Sequence, residues 1–291
     1  MRALVRRFGG RAALTPLVVI LVVCYLGGIG WTIGISFTDS RMVPRWNFDG
    51  FDQYIRLFTT PRWITAYTNM FIYGAGVILG TLILGSLLAI ALDSRTRFES
   101  VFRTMLLYPL SVSFIVTGLV WDAILTPSTG VESMVRGLGW SNFSFDWIGQ
   151  QQTAVYCLII AAVWHHVGLV MVIMLSGLRA FDPEIWKAAK VEGITTARTY
   201  LHVVLPSLGP TIMTCVILLA IQVIRSYDLV VALTGGGPGV SSDLPAKFVV
   251  DLAFERGNVG QASAAAVIMF ATVLVCIIPY ILIGTRRSEV E

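Results

Sequence analysis

The segment QVIRSYD closes an apolar run that begins at Gly209, and it places Gln222, Arg225 and Asp228 at every third position. On one continuous helix that spacing draws a single polar stripe. Ionisable groups inside so apolar a run are costly, so they line an interior path or pair with one another. Arg225 and Asp228 can do either: an intrahelical ion pair at i,i+3, or two cavity-lining groups. Aromatic companions exist elsewhere. Trp121 and Asp122 sit together near the end of one earlier apolar run, and Trp164 precedes His165 and His166 in the next. Apolar ring faces beside hydrogen-bonding groups are what a polyhydroxylated ring needs. A sulfonate, carboxylate or phosphate on the solute would also suit Arg225.

Covalent and hydrolytic chemistry find little support. The three histidines are His165, His166 and His202. Adjacent residues point in different directions on a helix, so His165 and His166 make a poor chelate and read as a packed or cavity-lining pair. The cysteines Cys24, Cys157, Cys215 and Cys276 fall inside apolar runs with no CxxC spacing, so neither a disulfide framework nor a metal site is indicated. Nucleotide hydrolysis calls for a phosphate-cradling loop, GxxxxGK[ST]. The lysines Lys187, Lys190 and Lys247 do not follow a glycine. Gly235-Gly236-Gly237-Pro238-Gly239 could form an anion nest, but it lacks the lysine and reads as a turn or a contact for a partner protein. The chain is expected to be no enzyme and to hold no cofactor of its own.

The elements that carry these residues follow from hydropathy. Of 291 residues 56% are hydrophobic and 13% charged, and the mean hydropathy is +0.77. Soluble domains carry about 25% charged residues, so the surroundings are a lipid bilayer and nucleic acid is no partner, despite a pI near 9.0. The stretches 14–36, 66–92, 105–125, 154–178, 209–233 and 262–283 each approach the ~20 apolar residues of a spanning helix. They are continuous rather than alternating, which argues against a β-barrel. The run from Leu14 to Ile35 is too long for a signal peptide's apolar core and is followed by no small-x-small site, so it reads as a retained first span.

Arginines and lysines set the orientation. The N-terminal tail (Arg2, Arg6, Arg7, Arg11), the second loop (Arg95, Arg97, Arg103), the fourth loop (Arg179, Lys187, Lys190, Arg198) and the C-terminus (Arg286, Arg287) share one side. The expected fold is an all-α integral membrane bundle of six transmembrane helices, N-in and C-in. Residues 1–65 form a cytoplasmic tail, first helix and amphipathic outer loop; residues 66–283 form the main membrane domain; residues 284–291 form a cytoplasmic tail.

The fourth loop holds a charged segment, EIWKAAKVEG. Asp182 can cap a helix start, Pro183 suits its first position, and Glu184 complements the dipole. Gly193 can take the left-handed conformation that ends it. A second short helix is expected from Thr195 or Thr196 to Pro206. Adjacent Ala188 and Ala189 between such sharp signals favour docking on a protein over lying on lipid.

The spacing K-A-A-x-x-x-G, then V-x-L-P, at Lys187, Ala188, Ala189, Gly193, Val203, Leu205 and Pro206 resembles the EAA loop of permease subunits in binding-protein-dependent ABC importers. LSGLRAFDPEI (175–185) and SYDLVVALTGGGPG (226–239) look like the carbohydrate branch, with glucose-type and maltose-type permeases among the similar sequences. The resemblance covers roughly residues 66–283. It implies a type I importer permease fold in a bacterial inner membrane. It also implies a second homologous permease subunit, two ATPase subunits that bind ATP and Mg, and an extracytoplasmic solute-binding protein. Glu184, Lys187, Ala188, Ala189, Gly193, Leu205 and Pro206 would form the coupling helix and its flank, seated on an ATPase. Gly235, Gly236, Gly237 and Pro238 would meet the binding protein. Trp121, Asp122, Trp164, Gln222, Arg225 and Asp228 would line the path of a sugar or small glycoside. Lys187 departs from the family's usual Glu, so a salt bridge to the ATPase at that position is in question. Rival readings are a permease for a polyol, an anionic sugar derivative or a phosphorylated solute, an ion-coupled secondary transporter, and a membrane assembly protein.

Overall fold

The computed structural model describes residues 15–94 and 98–288. The N-terminal arginines, Arg95, Arg97 and residues 289–291 lie outside the described residues. Those described are helical, with one isolated bridge between Thr38 and Phe48.

In chain order the helices are α1 (Thr15–Ser36), α2 (Asp52–Thr59), α3 (Pro61–Asp93), α4 (Glu99–Leu107), α5 (Phe114–Leu125), α6 (Val131–Gly137), α7 (Ala154–Arg179), α8 (Pro183–Val191), α9 (Thr196–Ser207), α10 (Gly209–Ile224), α11 (Tyr227–Leu233), α12 (Pro245–Val250) and α13 (Val259–Ser288). Helices α1, α3, α7 and α13 are each long and apolar enough to cross a bilayer. The remaining expected spans are broken.

The expected span 105–125 is two helices bent by 102°. Pro109 sits in a 3₁₀ turn, Tyr108–Ser111, where its missing N–H interrupts the helical ladder. Val112 then runs extended, and Ser113 restarts the chain by capping α5 through Val116 N at 3.4 Å. The expected span 209–233 is interrupted too. Arg225 (φ −86°, ψ 16°) and Ser226 (φ −76°, ψ 15°) leave helical geometry between α10 and α11. There the Ser226 hydroxyl donates to Val223 O at 2.8 Å, a local bond that competes with the helix.

The chain divides into two compact units. The first comprises residues 15–61 and 248–270. Its α1 keeps only 6% of its apolar window buried, as a lipid-facing helix should. At its end the Ser36 and Tyr54 hydroxyls meet at 2.7 Å, and Gly260 N donates to Ser40 O at 2.8 Å.

The second unit comprises the described residues of 62–247 and 271–288. Its core joins Ala89 and Leu92 of α3, Met171, Met174 and Leu178 of α7, Val204 of α9 and Leu219 of α10. Close helix approach makes this packing possible. A Cβ on Gly85 would stand 2.7 Å from Val170 Cγ1, and one on Gly168 would collide with the Leu106 carbonyl. Small residues at such crossings are the usual means of association inside a bilayer.

Candidate functional site

Helix α8 has the start and stop that its sequence calls for. Asp182 Oδ1 accepts from Glu184 N at 2.8 Å, and Gly193 ends the segment at φ +72°. Its two alanines part company: Ala189 is buried and faces inward, whereas Ala188 is exposed. Ile185 is exposed with it, and Val191 is 87% exposed, so a short apolar strip lies open beside the exposed charges of Glu184, Lys187 and Lys190.

The inward face is propped from behind. Trp186 packs edge-on against Tyr200 of α9 at 4.8 Å, and the Tyr200 hydroxyl donates to Asp93 Oδ2 of α3 at 2.7 Å. Arg179, at the end of α7, donates to Glu99 Oε2 at 2.8 Å and lies 4.0 Å from Asp93 Oδ1. A cleft of about 350 Å³ opens between α8 and α9, lined by Asp93, Trp186, Ala189, Lys190, Thr199 and Tyr200 among others. Lys187 Nζ lies 3.7 Å from Glu184 Oε1, with both side chains largely in solvent. Leu205 is half-buried and Pro206 exposed.

The aromatic part of the expected path assembles. Trp121 of α5 and Trp164 of α7 meet edge-on at 6.1 Å, and Asp122 accepts from the Thr126 hydroxyl at 3.4 Å. The polar stripe does not lie on one continuous helix. Gln222 lies on α10, Arg225 at its end and Asp228 on α11, because the helix breaks between them. Arg225 and Asp228 are exposed and form no ion pair with each other among the described residues. His165 and His166 are packed: Thr117 Oγ1 lies 3.1 Å from His165 Nδ1, Phe114 stacks on His165 at 4.2 Å, and His166 Nδ1 donates to Ala162 O at 2.8 Å. No metal-holding group of side chains exists among the described residues.

Beyond α11 the glycine-rich segment is a compact turn. Gly235 (φ +60°) closes the helix, its N–H donating to Val230 O at 2.8 Å. Gly236 is buried, Gly237 and Pro238 are partly exposed, and Gly239 and Val240 reach solvent. The Ser242 hydroxyl donates to Gly237 O at 2.6 Å and lies 2.8 Å from Thr234 Oγ1.

Residues 81–285 match the family of binding-protein-dependent transport system inner membrane components. The chain belongs to that family. A probable ABC transporter permease of Pyrococcus horikoshii is 33% identical, with 95% of each chain covered. The xylose/arabinose import permease of Haloferax volcanii is 30% identical over 91% of this chain and 84% of its own. The trehalose/maltose transport permease of Thermococcus litoralis is 27% identical over 96% and 95%. The crystal structure of a bacterial ABC transporter that imports the acidic polysaccharide alginate superposes with a TM-score of 0.83 at 18% identity, covering 98% of both chains. That likeness gives the ABC-importer permease fold.

Some of the groups that shape this permease escaped the sequence reading. Asp93, Trp186 and Tyr200, which prop α8, come from three separate elements, and no local spacing links them. Arg62 and Asn69 escaped it as well: both lie on α3, and their partners Ser241 and Asp243 are more than 170 residues further along the chain.

Proposed function

We propose that this permease is one of two membrane subunits of an ATP-driven importer that passes a sugar or small glycoside from a solute-binding protein into the cytoplasm. Family membership supports the importer, and the names of the xylose/arabinose and trehalose/maltose relatives support the sugar. ATP and Mg belong to the two ATPase subunits, and this chain supplies the docking helix and half of the passage. The observation that carries the coupling role is α8: capped at both ends, propped by Trp186 and Tyr200, and offering Ile185, Ala188 and Val191 to a partner. Glu184, one turn before Lys187, brings the negative charge the family places at the lysine's position. Gly193 sets the turn that frees this face, while Leu205 and Pro206 lead the chain back into the fifth span.

In the passage, Trp121 and Trp164 offer ring faces for a sugar, with Asp122, Gln222, Arg225 and Asp228 as hydrogen-bonding groups. Gly235, Gly236, Gly237 and Pro238 form the tip that the binding protein meets outside.

The deciding experiment is purification of the tagged complex from its own host, paired with Gly193→Asp. The wild type should recover an ATPase and a second permease and support ATP-dependent uptake of xylose or maltose. Gly193→Asp should insert normally and abolish uptake. A chain that purifies alone and transports regardless of ATP would return the secondary-transporter reading.

A further inference from the structure

The glycine turn is held in its shape by the beginning of α3. Arg62 Nε donates to Asp243 Oδ2 at 2.6 Å, and the Asp243 side chain is only 1% exposed. Two turns along the same face, Asn69 Nδ2 donates to Ser241 O at 2.7 Å and to Asp243 O at 3.0 Å. Asp243 in turn backs the turn itself, since a Cβ on Gly236 would stand 3.2 Å from its Oδ1. Backbone N–H groups of the turn take up the carbonyls of Thr234, Gly236, Pro238 and Val240, and side chains take up the carbonyls of Gly237, Ser241 and Asp243 that an irregular backbone leaves over. A buried ion pair adds little net stability compared with apolar packing, and its better-attested use is to fix one geometry.

We infer that Arg62 and Asn69 are positioning residues that hold the 235–240 tip in one shape, ready for capture by the solute-binding protein. The inference rests on the proposed contact between that tip and the binding protein. A tip fixed in advance has less freedom to lose on docking, so its anchors act on affinity rather than on the chemistry of the cycle.

The test uses the complete complex and the binding protein from the same host. Two readouts are taken: deuterium uptake of the backbone over residues 234–243, and ATPase rate against binding-protein concentration. Arg62→Lys keeps the charge but changes the donor geometry. Asn69→Leu keeps the volume and removes both hydrogen bonds. Each should speed exchange in the turn and raise the half-saturating concentration on the order of tenfold, with the maximal rate unchanged. Val240→Asp, at the exposed tip, should raise that concentration without altering exchange.

Unchanged exchange and half-saturation in both anchor variants, with Val240→Asp still impaired, would overturn the anchoring role and leave the docking reading standing. Full function in Val240→Asp together with faster exchange in the anchor variants would overturn the docking reading, and this inference with it. A fall in maximal rate at constant half-saturation would assign Arg62 and Asn69 to general packing instead.

Discussion

The α8–α9 segment and the glycine turn are both short, non-spanning features of the second unit, and they are held in opposite ways. Helix α8 satisfies its own backbone, so its neighbours need only aim it: one aromatic pair, and one hydrogen bond from Tyr200 to Asp93. The glycine turn satisfies only part of its backbone by itself, so Asn69 takes up the carbonyls of Ser241 and Asp243, Ser242 that of Gly237, and Arg62 fixes the Asp243 side chain. Supports of the first kind set direction, and those of the second set shape. An element that must move as a body is suited by the first arrangement, and an element that must present one surface is suited by the second.

The largest expected effect comes from the exposed face of α8. Ala188→Trp adds bulk where the isolated chain has room, so insertion and the stability of this chain should be unchanged. The ATPase should be lost from the purified complex, with uptake down on the order of a hundredfold. Because the glycine turn is untouched, binding protein should still be captured by the ATPase-free subunits; its loss there would break the separation between the two features. Normal uptake by this variant would remove the outward face of α8 from the docking surface.

A smaller effect is expected behind the helix. Tyr200→Phe deletes the 2.7 Å bond to Asp93 while keeping the ring against Trp186. The expected cost is about 1 kcal/mol, read as a thermal midpoint lowered by roughly 2–4 °C in detergent. Uptake should fall by only a few-fold. A loss as deep as that of Ala188→Trp would mean that the prop sets the helix's shape as well as its aim.

The smallest effect is expected at Lys187. Its contact with Glu184 is long and solvent-exposed, so Lys187→Ala should alter stability by no more than about 0.5 kcal/mol. A severe transport defect with intact stability would then assign Lys187 a direct contact with the ATPase.

What the sequence made legible follows from range. The caps of α8 depend on Asp182 and Gly193, within a dozen residues, and both behave as their chemistry requires. The apolar runs located the four helices long enough to span and part of each of the two bent pairs. They did not show that the third and fifth break, although Pro109 and Ser113 were the local cue for one break and Arg225-Ser226 for the other. Periodicity assumed a continuous helix and so drew Gln222, Arg225 and Asp228 as one stripe. The meeting of Trp121 with Trp164, and of Arg62 with Asp243, joins elements far apart in the chain, which spacing alone cannot bring together.

Helix α3 carries supports for both features, with Arg62 and Asn69 near its start and Asp93 as its last residue. At 1.5 Å per residue, its 33 residues extend about 50 Å. The hydrocarbon layer is only about 30 Å thick. Both supports can therefore stand clear of the acyl chains, separated by a rod whose length the bilayer does not set. A helix that outruns its membrane answers a change in thickness by tilting. Such a tilt turns both ends at once, so acyl-chain length becomes a variable that the glycine turn and α8 feel through one rotation.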